Sequence, residues 1–275
     1  MKNTLKEKLA KGAKPIGTFF ELGSPSVIEA LGRTGLDFVI LDNEHGPFEA
    51  ESSRDYARAA ELVGLTAIAR VREVSRPAIL KLLDVGVQGL IIPDVHTVEQ
   101  VQEIVDYAKY FPVGKRGFCP SRKDGWGFDE MAQQSVPDQM AYWNEQVLVI
   151  PQCETVGALE NIETIVNMEG VDGIFIGPFD LSISMGIPGQ FDHPDFVAAL
   201  EKVQKVCKDA GKFCMIFAVT NLNAKINEAI EAKAATEIGQ PYIELNLENP
   251  AGETVALSSL VGEGKWVLID FWATW

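Results

Sequence analysis

Short runs of apolar and β-branched residues alternate along the chain with longer stretches in which apolar positions recur every three or four residues. The short runs are IGTFF (16–20), FVILD (38–42), TAIARV (66–71), GLIIPD (89–94), VLVIPQ (147–152), GIFIG (173–177) and FCMIFA (213–218). Their near-continuous hydrophobicity predicts strands covered on both faces, as in a parallel sheet. Between them SVIEALGRTG, AESSRDYARAAELVG, RPAILKLLDVG, TVEQVQEIVDYAKYF, ALENIETIVNMEG and PDFVAALEKVQKVCKDAG carry helical spacing, and several close on the glycine that commonly ends a helix. With seven such strand–helix units and no GxGxxG after the first strand, the pattern predicts an α/β fold of the (β/α)8 TIM-barrel kind rather than a doubly wound sheet.

Two segments break the rhythm. Residues 112–146 form a long insertion between the fourth and fifth strands, rich in Gly, Pro, aromatics and both charges. A stretch of that length in a compact domain is usually functional or mobile, so it is expected to be a substrate-facing lid or a subunit contact. After FCMIFA a barrel needs another helix and an eighth strand, yet the character of the chain changes at about residue 220. YIELNL and WVLIDFW are the two runs that could close the barrel there. The organisation expected is a barrel over 1–220 followed by an atypical tail over 221–275.

Composition narrows the chemistry. With 24 Lys and Arg against 39 Asp and Glu, the formal charge of -15 repels nucleic acid and anionic membrane surfaces. No apolar run reaches the length of about 18 residues that marks a membrane helix, and the N-terminus lacks a signal peptide's apolar centre, so a cytoplasmic protein is expected. Cys119, Cys153, Cys207 and Cys214 are scattered and contain no CxxC, which makes them core or wall residues rather than a disulfide framework or a zinc site.

Polar residues gather where barrel active sites form, at strand C-termini. Glu154 and Asp180 leave two successive strands and could hold a hard divalent cation, Mg2+ or Mn2+, or could be solvated loop charges. Arg70 ends an apolar run, where a charge is costly unless paired. It either pairs with Asp42 or Glu44 or holds a substrate oxygen in its guanidinium fork. His45 has Asp42 within the same turn to orient a ring nitrogen, as a general acid or base requires, or it is a hydrogen-bonded turn histidine.

The ordered segments GLDFVILDNEHGPFEAES, AIARV, ILKLLDVGVQGLIIPDV, YFPVGKRGF, LVIPQCET and GIFIGPFDLSISMG together resemble the HpcH/HpaI aldolase family over about residues 4–220. The resemblance implies a barrel of the phosphoenolpyruvate/pyruvate type, assembled as a homo-oligomer, a hexamer built from dimers. It also implies a class II, metal-dependent lyase that makes or cleaves 4-hydroxy-2-oxo acids from pyruvate and an aldehyde. Carried over by position, Glu154 and Asp180 would ligate the cation, with Co2+ a further candidate beside Mg2+ and Mn2+. Arg70 would contact the keto oxygen. His45, supported by Asp42 and by Asp84, would move the proton of the aldol hydroxyl. Gln152, Gly177, Pro178 and Phe179 would line the pyruvate pocket.

PDVHT after the fourth strand and FCPSRKDGWG in the insertion depart from the family pattern. Alternatives are a related barrel acting on another 2-oxo acid or an acyl-CoA, for which Lys115, Arg116, Arg122 and Lys123 are the one tight basic cluster, or a catalytically inactive scaffold. The tail EIGQPYIELNLENPAGETVALSSLVGEGKWVLIDFWATW resembles the opening of a thioredoxin-like domain that stops short of its CxxC, as in a fusion, a truncation or an engineered chimera.

Overall fold

In the computed structural model, residues 2–218 are described, together with the backbone of short strands at 246–248, 254–256 and 265–269. The chain opens with α1 (Thr4–Ala10) and then alternates β1 (Gly17–Phe20), α2 (Pro25–Leu31), β2 (Phe38–Asp42), α3 (Ala50–Leu62), β3 (Thr66–Arg70), α4 (Arg76–Asp84), β4 (Gly89–Ile92) and α5 (Val98–Ala108). After the insertion, which ends in α6 (Val136–Gln146), come β5 (Leu148–Cys153), α7 (Val156–Glu160), α8 (Ile162–Asn167), β6 (Gly173–Ile176), α9 (Pro178–Ser184), α10 (Pro194–Asp209) and β7 (Phe213–Ala218). The seven strands expected from the apolar runs are all present.

Local chemistry sets the helix ends. The Thr97 hydroxyl accepts the Gln100 N–H at 3.2 Å, while the Gln100 side chain accepts the Thr97 N–H at 3.1 Å, a reciprocal cap on α5. Gly64 and Gly86 follow α3 and α4 with φ of 79° and 99°, the left-handed region that suits glycine, and turn the chain back toward the sheet.

Strands β1 to β7 pair in parallel and in chain order, in a curled sheet of the TIM-barrel kind. Alternation along each strand sorts the buried residues into two clusters. Val39, Leu41, Ala69, Leu90 and Ile92 pack outward beneath the helices, whereas Phe38, Ile40, Ile68, Ile91, Ile150 and Phe175 fill the interior. Each such side chain contributes about 1.5–3 kcal/mol relative to an exposed one. At the N-terminal end of the strands, α1 pushes Leu5 into that interior cluster. It is fastened there by the Asn3 amide, which donates to the carbonyls of Gln88 (3.0 Å) and Gln146 (2.7 Å), and by the Leu5 N–H, which donates to the Thr66 hydroxyl (3.1 Å).

The tail supplies a partner for β7. β8 (Asn246–Glu248) and β9 (Thr254–Ala256) form an antiparallel pair, and β10 (Lys265–Ile269) lies parallel to β7 with its Cα atoms approaching those of β1 to within 8 Å. Of the two candidate closing runs, WVLIDFW therefore provides the strand beside β7, and YIELNL contributes to the small antiparallel pair. The thioredoxin-like reading of the tail otherwise falls outside the described residues.

The insertion is not a lid. It follows helix α5, not a strand, so it emerges at the N-terminal end of the sheet, opposite the strand C-termini. There Arg122 reaches Glu61 (2.5 Å) at the end of α3 and donates to the Val85 carbonyl (3.1 Å) after α4. Trp143 is buried beneath Lys123, whose ammonium lies 5.6 Å from the indole centre and 2.6 Å from the Asp124 carboxylate. All four cations of the basic cluster are paired, since Lys115 meets Asp106 at 2.6 Å and Arg116 meets Asp84 at 2.8 Å. They offer no free patch for coenzyme phosphates. The four cysteines are free thiols, three of them buried. Among the described residues no helix is long and apolar enough to cross a membrane.

Candidate active site

The pleat decides which side chains enter the mouth of the sheet. Asp42 and Arg70 are the last residues of β2 and β3 and are register partners, both in phase with the inward-facing isoleucines before them. Gln152 continues the inward row of β5, and Glu154 lies one step beyond that strand.

Arg70 is 11 % exposed and Asp42 fully buried, so the pair is shielded from water. The Arg70 Nε donates to Asp42 Oδ1 at 3.0 Å, and its Nη2 meets Asp42 Oδ2. The same Nε lies 3.2 Å from Glu44 Oε2, and the guanidinium carbon sits 4.7 Å from the Phe19 ring centre. Burial opposes the charge on Asp42. The hydrogen bond and charge of Arg70, with the N–H groups of His45 and Glu44, outweigh burial and hold its carboxyl below the ordinary value. Burial pushes Glu44 upward.

Glu154 is 6 % exposed. Its Oε1 accepts the Asp94 N–H at 2.7 Å and its Oε2 accepts the Gln152 side-chain N–H. Burial, reinforced by the charges of Glu44 and Asp180 and opposed by the Asp94 N–H and Arg70, pushes it up to about 7. Asp180 lies exposed in the first turn of α9. Gly177 precedes that helix and packs so closely that a Cβ there would lie 2.6 Å from Glu154 Oε2 and 2.7 Å from Gln152 Nε2. Pro178 and Phe179 follow it. Phe179 is exposed and meets Phe217 (6.4 Å) and Phe191 (5.0 Å) in an aromatic row that Phe217 continues to Phe19 (5.6 Å).

The oxygen chemistry suits a hard divalent cation. The Gln152 Oε1 is buried without a hydrogen-bond partner, beside a carboxylate whose proton affinity is raised by burial and then by the acids around it. Among the described residues no three His, Cys, Asp or Glu side chains converge as a metal cluster. A cation here would draw at most two such side chains from the described residues and the rest of its ligands from water or substrate.

Two sequence expectations need correction. Asp42 does not orient the His45 imidazole, because its Oδ1 is taken by the main-chain N–H groups of Glu44 (3.0 Å) and His45 (3.2 Å) and by Arg70. The His45 ring is 67 % exposed, with Glu44 the nearby acid at 3.8 Å. Asp84 does not join the group within this chain. It ends α4, which runs antiparallel to the strands, and so lies at the far end of the fold, paired with Arg116. Of two further contributors, one is legible in the sequence and one is not. Glu44 was visible within LDNEHG as a possible partner of Arg70, whereas the main-chain contact from Asp94 left no signal.

Comparison with known proteins agrees with this architecture. The HpcH/HpaI aldolase/citrate lyase family matches residues 15–240. The 2-keto-3-deoxy-L-rhamnonate aldolase of Escherichia coli K12 is 33 % identical over 221 residues, covering 80 % of each chain. The hydroxypyruvate/pyruvate aldolase of Roseobacter denitrificans is 33 % identical over 234 residues, covering 84 % of this chain and 88 % of the relative. The crystal structure of an HpcH/HpaI aldolase from Desulfitobacterium hafniense DCB-2 superimposes with a TM-score of 0.76 at 27 % identity, covering 97 % of this chain and 89 % of that one. The chain belongs to the HpcH/HpaI aldolase/citrate lyase family.

Proposed function

We propose that the chain is a class II pyruvate aldolase, cleaving or forming 4-hydroxy-2-oxo acids from pyruvate and an aldehyde. The observation that carries the reading is the convergence of a buried guanidinium and a buried, proton-retaining carboxylate beside the unpartnered Gln152 oxygen at one mouth. Named relatives that are aldolases support it.

Glu154 and Asp180 would hold a divalent cation, Mg2+ or Mn2+ with Co2+ a third candidate, which would supply Lewis acidity to the 2-oxo acid. Arg70, held rigid by Asp42 and Glu44, turns its remaining N–H groups toward the keto oxygen, where negative charge builds as the C3–C4 bond breaks. Gln152, Gly177, Pro178 and Phe179 shape the space for pyruvate. His45 stands at the rim, exposed, and takes the proton of the 4-hydroxyl directly or through a water as the aldehyde forms. In the synthetic direction it returns that proton. The supporting acid for His45 within this chain is Glu44, while Asp42 acts through Arg70.

The same reading takes β10 as the eighth strand of a closed (β/α)8 barrel, with the remainder of 221–275 as an appendage. It also takes the active form to be a homo-oligomer, which sedimentation velocity reads directly.

Exchange of the pyruvate methyl protons for deuterium, followed by NMR in D2O, tests the chemistry without knowledge of the aldehyde. Exchange that needs Mn2+ or Mg2+, stops with a chelator and is abolished by Glu154→Ala is the expected result. A folded chain that catalyses no exchange with either metal overturns the reading.

A further inference from the structure

Asp94 adopts a φ of 53°, in the left-handed region, as does Trp126 among the described non-glycine residues. An L side chain takes that conformation at a cost, and it persists where the surroundings enforce it. Three contacts do so. The Thr155 hydroxyl donates to the Val95 carbonyl at 2.5 Å, clamping the turn after β4 onto the turn after β5. Gly157 lies so close that a Cβ would stand 2.5 Å from the His96 carbonyl oxygen. The His96 N–H, in turn, donates to Gln100 Oε1 at 2.8 Å, tying the turn to the first turn of α5.

The conformation sends the two polar parts of Asp94 in opposite directions. Its side chain, 80 % exposed, turns outward to meet His96 Nε2 at 2.8 Å. Its N–H turns inward and donates to Glu154 Oε1 at 2.7 Å. With Gln152 on Oε2, both oxygens of a carboxylate otherwise buried among acids are fixed in place.

We infer that Asp94 is a positioning residue for Glu154: its left-handed backbone, not its carboxylate, aims the N–H that orients the ligand oxygens. The inference rests on the reading of Glu154 as a cation ligand. The exposed Asp94–His96 pair is dispensable to it. What position 94 requires is a residue that tolerates positive φ, a demand that Gly and Asn meet and β-branched residues resist.

The test is a backbone series, Asp94→Gly, Asp94→Asn, Asp94→Ala and Asp94→Val, with His96→Ala beside it. Mn2+ affinity is read from the paramagnetic resonance signal of free Mn2+, pyruvate exchange is split into kcat and KM, and folding is checked by circular dichroism. The expected result is that Gly, Asn and His96→Ala bind Mn2+ as the parent does, while Ala and Val weaken it in that order, Val by about 10–100-fold as for lost partners of metal ligands. Should Val fail to fold, Ala carries the comparison. A parent that binds Mn2+, with folded Ala or Val variants that bind it equally well, overturns the role of Asp94 alone. A parent that does not bind Mn2+ overturns the assignment of Glu154 as a ligand, and this role with it.

Discussion

Arg70 and Asp42 are register partners on neighbouring parallel strands, and each satisfies the other's charge in a site from which Asp42 is wholly excluded from solvent. The pair anchors the guanidinium from behind and leaves its outer face over Phe19 and toward the mouth. Asp42→Ala therefore leaves a buried cation with Glu44 as its remaining partner. A loss of about 3 kcal/mol is expected, the low end for breaking a buried ion pair, measured by urea unfolding. Arg70→Lys keeps a charge but not the fork, and should lower kcat for pyruvate exchange about 10²-fold while leaving Mn2+ affinity close to that of the parent.

The raised proton affinity of Glu154 fixes a pH dependence. Its carboxyl titrates near its ordinary 4.5 when unfolded and at about 7 when folded without metal. The folded state thus binds the proton more tightly, and the stability this gives is fully present below pH 4.5 and lost as pH rises through about 7. In chelator, parent and Glu154→Gln should diverge over that window, the parent losing stability relative to the variant as pH rises. Parallel curves from urea unfolding at stepped pH would contradict the assignment.

Gly177 is the contact through which α9 approaches Glu154 and Gln152. Because a Cβ would intrude to 2.6 Å on the carboxylate, Gly177→Ala should displace Glu154. Metal affinity is expected to fall about tenfold or more, by calorimetric titration, with the circular dichroism spectrum unchanged.

The insertion gives the opposite signature. Lys123 and Asp124 form a buried pair at the end of the fold away from the mouth. Asp124→Asn should lower the unfolding temperature and cost on the order of 3 kcal/mol. The exchange rate per folded chain should not change, and a changed KM for pyruvate would return the insertion to the site.

The strands were legible because each is a short β-branched run, and the inward placement of Asp42, Arg70 and Gln152 follows from counting residues in the pleat. What misled was proximity in sequence. Asp42 stands three residues from His45, but its carboxylate first satisfies the main-chain N–H groups of its own turn, as short acidic side chains do, and then the buried Arg70. Asp84 stands apart from the group within this chain, and the insertion is no lid, for one reason of direction: whatever ends or follows a helix lies at the opposite end of the sheet from whatever follows a strand. The left-handed turn at Asp94 left no trace in the sequence, since two of the three contacts that impose it come from Thr155 and Gly157, some sixty residues along the chain.

The stopper formed by α1 has a consequence for traffic. With Leu5 seated among the interior side chains and Asn3 fastened to the bases of β4 and β5, the N-terminal end of the curled sheet is plugged, and the polar residues at the strand C-termini face the opposite end. A ligand seated against Arg70 and Glu154 at that end lies beneath whatever binds after it. Under the proposed aldolase reading, pyruvate seated against Arg70 and Glu154 would then leave after the aldehyde in cleavage and precede it in synthesis, giving the two substrates a compulsory order.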